Sequence, residues 1–275
     1  MRPPNHPLIH IKGMHFKNPF LILPGVTELS NPNGRVTTDL LMYYKGLARS
    51  EAALVIVGPA TITPPVSRKF SLLRVDQPKY LDGLRALSKI VSSNGAIPGI
   101  QVTHPGNYEA NELRVEPRFV DQLASLDVEK VVTAFRNACV RSMEVGFRYV
   151  ELDARGSLVL HQLVAADRED VVRRIIVNGV KAIGGQGVLA LRLDASLLKK
   201  DHYASLFIEL GGDLVALSYR GQQSDSFFDA HKNACIESLY TLNSPGEVYK
   251  RLQRSRLLSL AVDFPEKRKQ ITSLF

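Results

Sequence analysis

Only two cysteines occur in 275 residues, too few for a disulfide framework. Cys139 falls in a helical pattern and Cys235 at the start of an apolar run, so both read as buried free thiols of a reducing compartment. No segment approaches the roughly twenty uninterrupted apolar residues of a membrane span. The opening Met1-Arg-Pro-Pro-Asn-His-Pro7 has no apolar core of a secretory signal, and a cytoplasmic protein without membrane contact is the expectation. Metal-ligand spacing is missing too, because His6, His10 and His15 stand in a polar segment with no partner motif. Neither Ser157 nor Ser218 sits in a Gly-x-Ser-x-Gly turn, which leaves nucleophilic serine chemistry without support.

What is present is a basic, evenly hydrophobic chain, with a formal net charge of +8 and 45% hydrophobic residues. The cations are scattered along helical patterns, as at Arg168, Arg173, Arg174 and Lys181, and crowd only in 250–256 and 267–269. No aromatic-interleaved basic stripe accompanies them, so they read as solvated helix faces and not as a nucleic-acid surface. A small molecule is the expected partner.

Short β-branched runs alternate with amphipathic stretches. Eight runs stand at 20–23, 53–57, 97–102, 149–152, 188–193, 214–218, 236–239 and 257–262. Helical patterns lie between them at 38–49, 79–91, 128–144, 168–183, 197–210, 226–232 and 244–254. Asp127 and Ser244 stand at N-cap positions, while Gly95, Gly146, Gly184 and Gly211 follow helix ends. Gly184-Gly185-Gln-Gly187 and Gly211-Gly212 precede strands, whereas a phosphate cradle follows one. The pattern predicts one (β/α)₈ barrel over residues 1–275, with functional groups at the C-terminal strand ends; a doubly wound sheet is the alternative. Alternation over 8–17 around Lys12-Gly13 predicts a hairpin closing the barrel's bottom.

Polar residues interrupt the apolar runs at Gln101, Glu151, Asp153, Arg192 and Asp194. Period-2 alternation turns Glu151 and Asp153 toward the barrel interior. Two such carboxylates can hold one raised pKa and act as acid and base, unless Arg192 neutralises them within an ion-pair cluster. A buried carboxylate, Glu151 or Asp153, could equally satisfy Gln101 and Arg192. His104 reads either as a pocket residue or as a loop hydrogen-bonding group beside Pro105-Gly106. His161 reads as packed in the helix after its strand. Tyr219 and Arg220 end the sixth run, where Tyr219 is a candidate acid and both suit a carbonyl or a solvent-facing loop.

Several of these residues lie in longer motifs. Gly99-Ile-Gln-Val-Thr-His-Pro-Gly106 is followed by Tyr149-Val-Glu-Leu-Asp-Ala-Arg-Gly-Ser-Leu-Val-Leu-His-Gln162. Phe16-Lys-Asn-Pro-Phe-Leu-Ile-Leu-Pro24, Tyr43-Tyr44, Ala53-Leu-Val-Ile-Val-Gly-Pro-Ala60 and Leu189-Ala-Leu-Arg-Leu-Asp194 keep the same order. Together they resemble the old yellow enzyme family of flavin oxidoreductases. The resemblance implies an FMN barrel in which Gln101 meets the pyrimidine edge of the flavin and Arg192 lies near N1 and O2. It also implies a ligand-contact set of Pro24, Val26, Thr27, Gln101, His104 and Arg192.

The departures from the family are consistent in direction. Its His-x-x-His or His-x-x-Asn donor pair falls on Asp153 and Gly156, and its Met followed by Thr or Cys falls on Gly25 and Val26. The loop after His161-Gln162 is shortened. The Gly-rich phosphate turns correspond to 235–245 and 257–265, where glycine is absent and Asp263 carries the wrong charge, with Lys267, Arg268 and Lys269 as conceivable substitutes. The expectation is therefore cofactor-independent, non-redox chemistry such as isomerisation, cyclisation or elimination on a small unsaturated carbonyl compound, with Asp153, Glu151 and Tyr219 as catalytic candidates. An FMN-dependent ene reductase using Tyr44 or Tyr219 as proton donor is the alternative. A non-catalytic subunit or ligand-binding partner of a flavoprotein is a third reading, and a homo-oligomer is compatible with each.

Overall fold

The computed structural model describes residues 9–18, 20–64, 71–106, 127–156, 158–194, 202–218, 235–239 and 257–260. Lys12 and Gly13 both take positive φ, 45° and 72°, a turn whose twist suits paired strands. It joins β1 (Ile9–Ile11) to antiparallel β2 (Met14–Phe16), with Ile11 opposite Met14. Met14 and Phe16 are buried against Leu21, Leu54, Tyr149 and Leu214. Lys12 pairs with Asp213 at 3.0 Å, and Asp213 also accepts from the Leu189 amide. The hairpin thus plugs the bottom of the barrel, as expected from its alternation.

Above it, β3 (Phe20–Ile22), β4 (Leu54–Thr61), β6 (Ile97–Thr103), β7 (Tyr149–Ala154), β8 (Val188–Asp194), β9 (Leu214–Ser218), β10 (Cys235–Leu239) and β11 (Leu257–Leu260) run parallel. Both ends of this series meet on β3, which pairs with β4 through Leu21↔Leu54 and with β11 through Leu258↔Phe20. The strands therefore close into a barrel, and the doubly wound alternative, which would leave two open edges, falls. The last apolar run closes the barrel. One short strand, β5 (Leu73–Arg74), extends β4 at Ala60 and Thr61 and was not anticipated.

Helices α1 (Thr38–Ala48), α2 (Leu81–Ser92), α3 (Val128–Glu144), α4 (Val159–Ala165), α5 (Glu169–Ile183) and α6 (His202–Glu209) cover the outside. Asp127 caps α3 by accepting from the Lys130 amide, and Thr37 caps α1 through the Leu40 amide. The expected helical patterns at 226–232 and 244–254, Ser244, and Lys267, Arg268 and Lys269 lie outside the described residues.

Two cores follow from alternation along β3, β4, β6, β7 and β8, which bury apolar side chains on both faces below the polar positions of the inner one. Val150 and Leu152 pack outward with Phe135, Leu87 and Ile175, while Tyr149 packs inward with Leu54, Ile56, Val188 and Ala190. Cys139 is a buried free cysteine in the outer core, where burial pushes its thiol up to about 12. That environment keeps it an inert thiol. Among the described residues no helix is long and apolar enough to cross a membrane.

Candidate functional site

The inward positions of three neighbouring strands carry polar groups at the C-terminal end of the barrel. Register sets Gln101 of β6 level with Glu151 of β7, and Asp153 level with Arg192 of β8. Arg192 and Glu151 both have fully buried side chains. Arg192 donates through Nε and Nη2 to the two oxygens of Glu151 at 2.7 and 3.0 Å. Gln101 Nε2 donates to Glu151 Oε1 at 2.7 Å, and the Tyr149 hydroxyl to Oε2 at 3.0 Å. The carboxylate thus sits among four donated hydrogen bonds, the condition under which a buried ion pair is tolerated.

Burial pushes the Glu151 carboxyl up, but Arg192, then Arg155 and Gln101, outweigh it and hold it below its ordinary value. Burial, with Glu151 beside it, pushes the Tyr149 phenol well up. Glu151 is therefore held as an acceptor paired with Arg192, the ion-pair arrangement that the sequence left open beside the acid–base reading. It is also the partner that satisfies both Gln101 and Arg192.

Asp153 takes a different cation. Arg155 donates to its two oxygens at 2.7 and 3.0 Å, and Arg155 Nη2 reaches Gln101 Oε1 at 3.3 Å. Gln101 is thereby bonded at both ends of its amide. Arg155 is 27% exposed and Asp153 only 4%, so this pair forms the outer rim of the cluster. Arg155 stands two residues from Asp153 in the sequence, on the same side of the chain.

The other expected site residues are more dispersed. Pro24 and Thr27 are half-buried and Val26 is 45% exposed in the loop after β3, where Thr27 Oγ1 accepts from the Leu29 amide. His104 Nδ1 accepts from the Gly106 amide at 3.1 Å, and its ring lies 6.5 Å from that of Phe135 on α3. Burial lowers its pKa to about 4, so it is a neutral loop-bonding histidine on the helix side of the sheet. His161 Nδ1 is 3.3 Å from the Ala154 carbonyl. Tyr219 and Arg220 lie outside the described residues. The Tyr44 hydroxyl accepts from the Gly58 amide at 3.0 Å, and burial pushes it well above its ordinary range. This anchors β4 and is a poor arrangement for releasing a proton.

Gly58 itself packs β4 against β6. Its φ is +123°, and a Cβ would lie 2.9 Å from the Gln101 carbonyl oxygen. Gly58→Ala is expected to cost about 1–3 kcal/mol from backbone strain, seen as a lower midpoint in urea unfolding. An unchanged midpoint would show that β4 can shift away from Gln101.

An open notch lined by Ile62, Asp76, Glu129, Lys130 and Arg141 lies outside the barrel, beside α3, and includes none of these residues. Among the described residues no group of three His, Cys, Asp or Glu is placed to hold a metal.

The chain matches no protein-family model. It is 26% identical over 147 residues to a metal reductase of Desulforamulus reducens, covering 49% of this chain and 22% of that protein. It is 23% identical over 240 residues to an NADPH dehydrogenase of Geobacillus sp. strain WCH70, covering 76% and 70%. An NADH oxidase of Thermoanaerobacter brockii is 25% identical over 173 residues, covering 56% and 26%. The chain thus spans under a third of the metal reductase and the oxidase, and over two thirds of the dehydrogenase. Among solved structures, an Old Yellow Enzyme from Pichia sp. AKU4542 superposes with a TM-score of 0.76 at 13% identity over 98% of this chain and 87% of that one. A morphinone reductase gives 0.74 at 14% identity, over 98% and 90%.

Proposed function

For this divergent relative of the old yellow enzyme family, we propose a flavin-dependent oxidoreductase that acts on a small molecule at the C-terminal mouth of its barrel. The carrying observation is the buried Glu151 cluster, which fixes Gln101 and Arg192, the two residues that the resemblance assigns to the flavin ring. The names of the relatives, NADPH dehydrogenase and NADH oxidase, favour this redox reading over the cofactor-independent chemistry expected from the missing donor pair.

The residues present fit the polar edge of a flavin. Beside Gln101, the buried hydroxyl of Thr103 has no hydrogen-bond partner, an arrangement that suits a heteroatom arriving from outside the chain. Gln101, Arg192 and Thr103 would hold the ring, and bound FMN would supply hydride transfer. The chain's own residues then have separable tasks. Glu151 fixes Arg192 and Gln101; Asp153 anchors Arg155; and Arg155, at the rim, bonds the outer end of Gln101.

Purified protein incubated with excess FMN and desalted is expected to stay yellow, with flavin released on denaturation at one per chain. A colourless protein that cannot be reconstituted would overturn the reading and return the cluster to non-redox chemistry or a purely structural role.

A further inference from the structure

Two buried side-chain polar atoms among the described residues have no hydrogen-bond partner, Thr103 Oγ1 and the Tyr203 hydroxyl. Thr103 is the more informative because of its place. It ends β6 and is 2% exposed. Gly99, two inward positions earlier, faces the side chains of Leu54, Ile56 and Tyr149 in the inner core. Alternation therefore carries Gln101 and then Thr103 into the barrel, Thr103 nearer the mouth.

The backbone around it is fixed, since Thr103 pairs with Thr61 across the sheet and its carbonyl accepts from the Ile62 amide at 3.0 Å. A threonine in a strand commonly returns its hydroxyl to a nearby carbonyl, as Thr61 does to Thr63 at 2.6 Å. Thr103 makes no such bond. Valine would fill the same volume without burying an unsatisfied group, so the hydroxyl at this position points to a partner from outside the chain.

We propose that Thr103 is a positioning residue for the bound flavin, its hydroxyl bonding a heteroatom on the ring edge beside Gln101. This rests on the flavin-dependent reading above. Loss of one neutral hydrogen bond corresponds to a change of about fivefold in affinity.

The test is FMN titration by fluorescence quenching of wild type, Thr103→Val and Thr103→Ser, with thermal melts of each flavin-free protein. Thr103→Val is expected to raise the FMN Kd about fivefold while melting at the same or a higher temperature. Thr103→Ser, which keeps the hydroxyl, is expected to stay within about twofold of wild type. Equal Kd for Thr103→Val and wild type would overturn the assignment and leave the flavin reading standing. If both variants lose affinity in step with a lowered melting temperature, the role is packing and the assignment also falls. Failure of wild type itself to bind FMN removes both readings.

Discussion

Glu151→Ala is expected to destabilise the protein by about 3–5 kcal/mol, more than any surface change. The reason is Arg192. Its guanidinium is fully buried and two of its nitrogens rest on Glu151, so removing the carboxylate leaves a desolvated charge behind. Gln101 and Tyr149 lose an acceptor in the same step. A paired Glu151→Leu, Arg192→Leu variant removes both charges and should recover the part of the loss that comes from the buried charge, while Gln101 and Tyr149 stay without their acceptor. Urea unfolding of Glu151→Leu, Arg192→Leu and the double variant gives the coupling directly. A cost within about 1 kcal/mol for Glu151→Ala would mean that water reaches Arg192 and the cluster is not dry.

The same pair predicts a pH dependence. The folded Glu151 carboxyl is held below its ordinary 4.5, so its contribution is complete above that value and drains away as pH falls through the lower folded one. Wild type and Glu151→Gln should therefore differ in stability at neutral pH and converge in acid. A difference that persists undiminished at low pH would remove the ionised carboxylate from the account.

Most of the barrel was legible because its signals are local. The apolar runs alternate with helices, Lys12-Gly13 marks the hairpin, and Gly95, Gly146 and Gly211 take the positive φ that helix ends favour. The two-residue β5 carries too little pattern to be seen. At the site, alternation placed Glu151 and Asp153 on the inner face, but which cation serves which carboxylate was open. Asp153 is level with Arg192 in register, yet Arg192 reaches the deeper Glu151 and Asp153 is taken by Arg155. Side-chain length and direction decide such pairings, and neither is a property of spacing. His104 shows the opposite failure. Gln101 inward implies Thr103 inward and His104 outward, so parity already contradicted the pocket reading that the motif encouraged.

Restoring the missing donors should give the largest gain in activity. The variant to make is Asp153→His with Gly156→His, plus Arg155→Ala so that no guanidinium is left without its carboxylate. Gly156 has φ +58°, and a Cβ there meets nothing within 4 Å. Room is therefore available, and the left-handed backbone, which histidine enters more readily than most residues, costs about 1–2 kcal/mol. Each preorganised donor to a developing oxyanion contributes roughly 10²–10³ in rate. The FMN-loaded triple variant is accordingly expected to reduce a cyclic enone with NADPH at least about a hundredfold faster than wild type, at similar flavin occupancy. Occupancy and rate must be read together. A variant that keeps its flavin but gains no enone reduction would show that the substitutions at 153 and 156 are not what separates this barrel from its reductase relatives, and that the difference lies in how substrate reaches or sits over the ring.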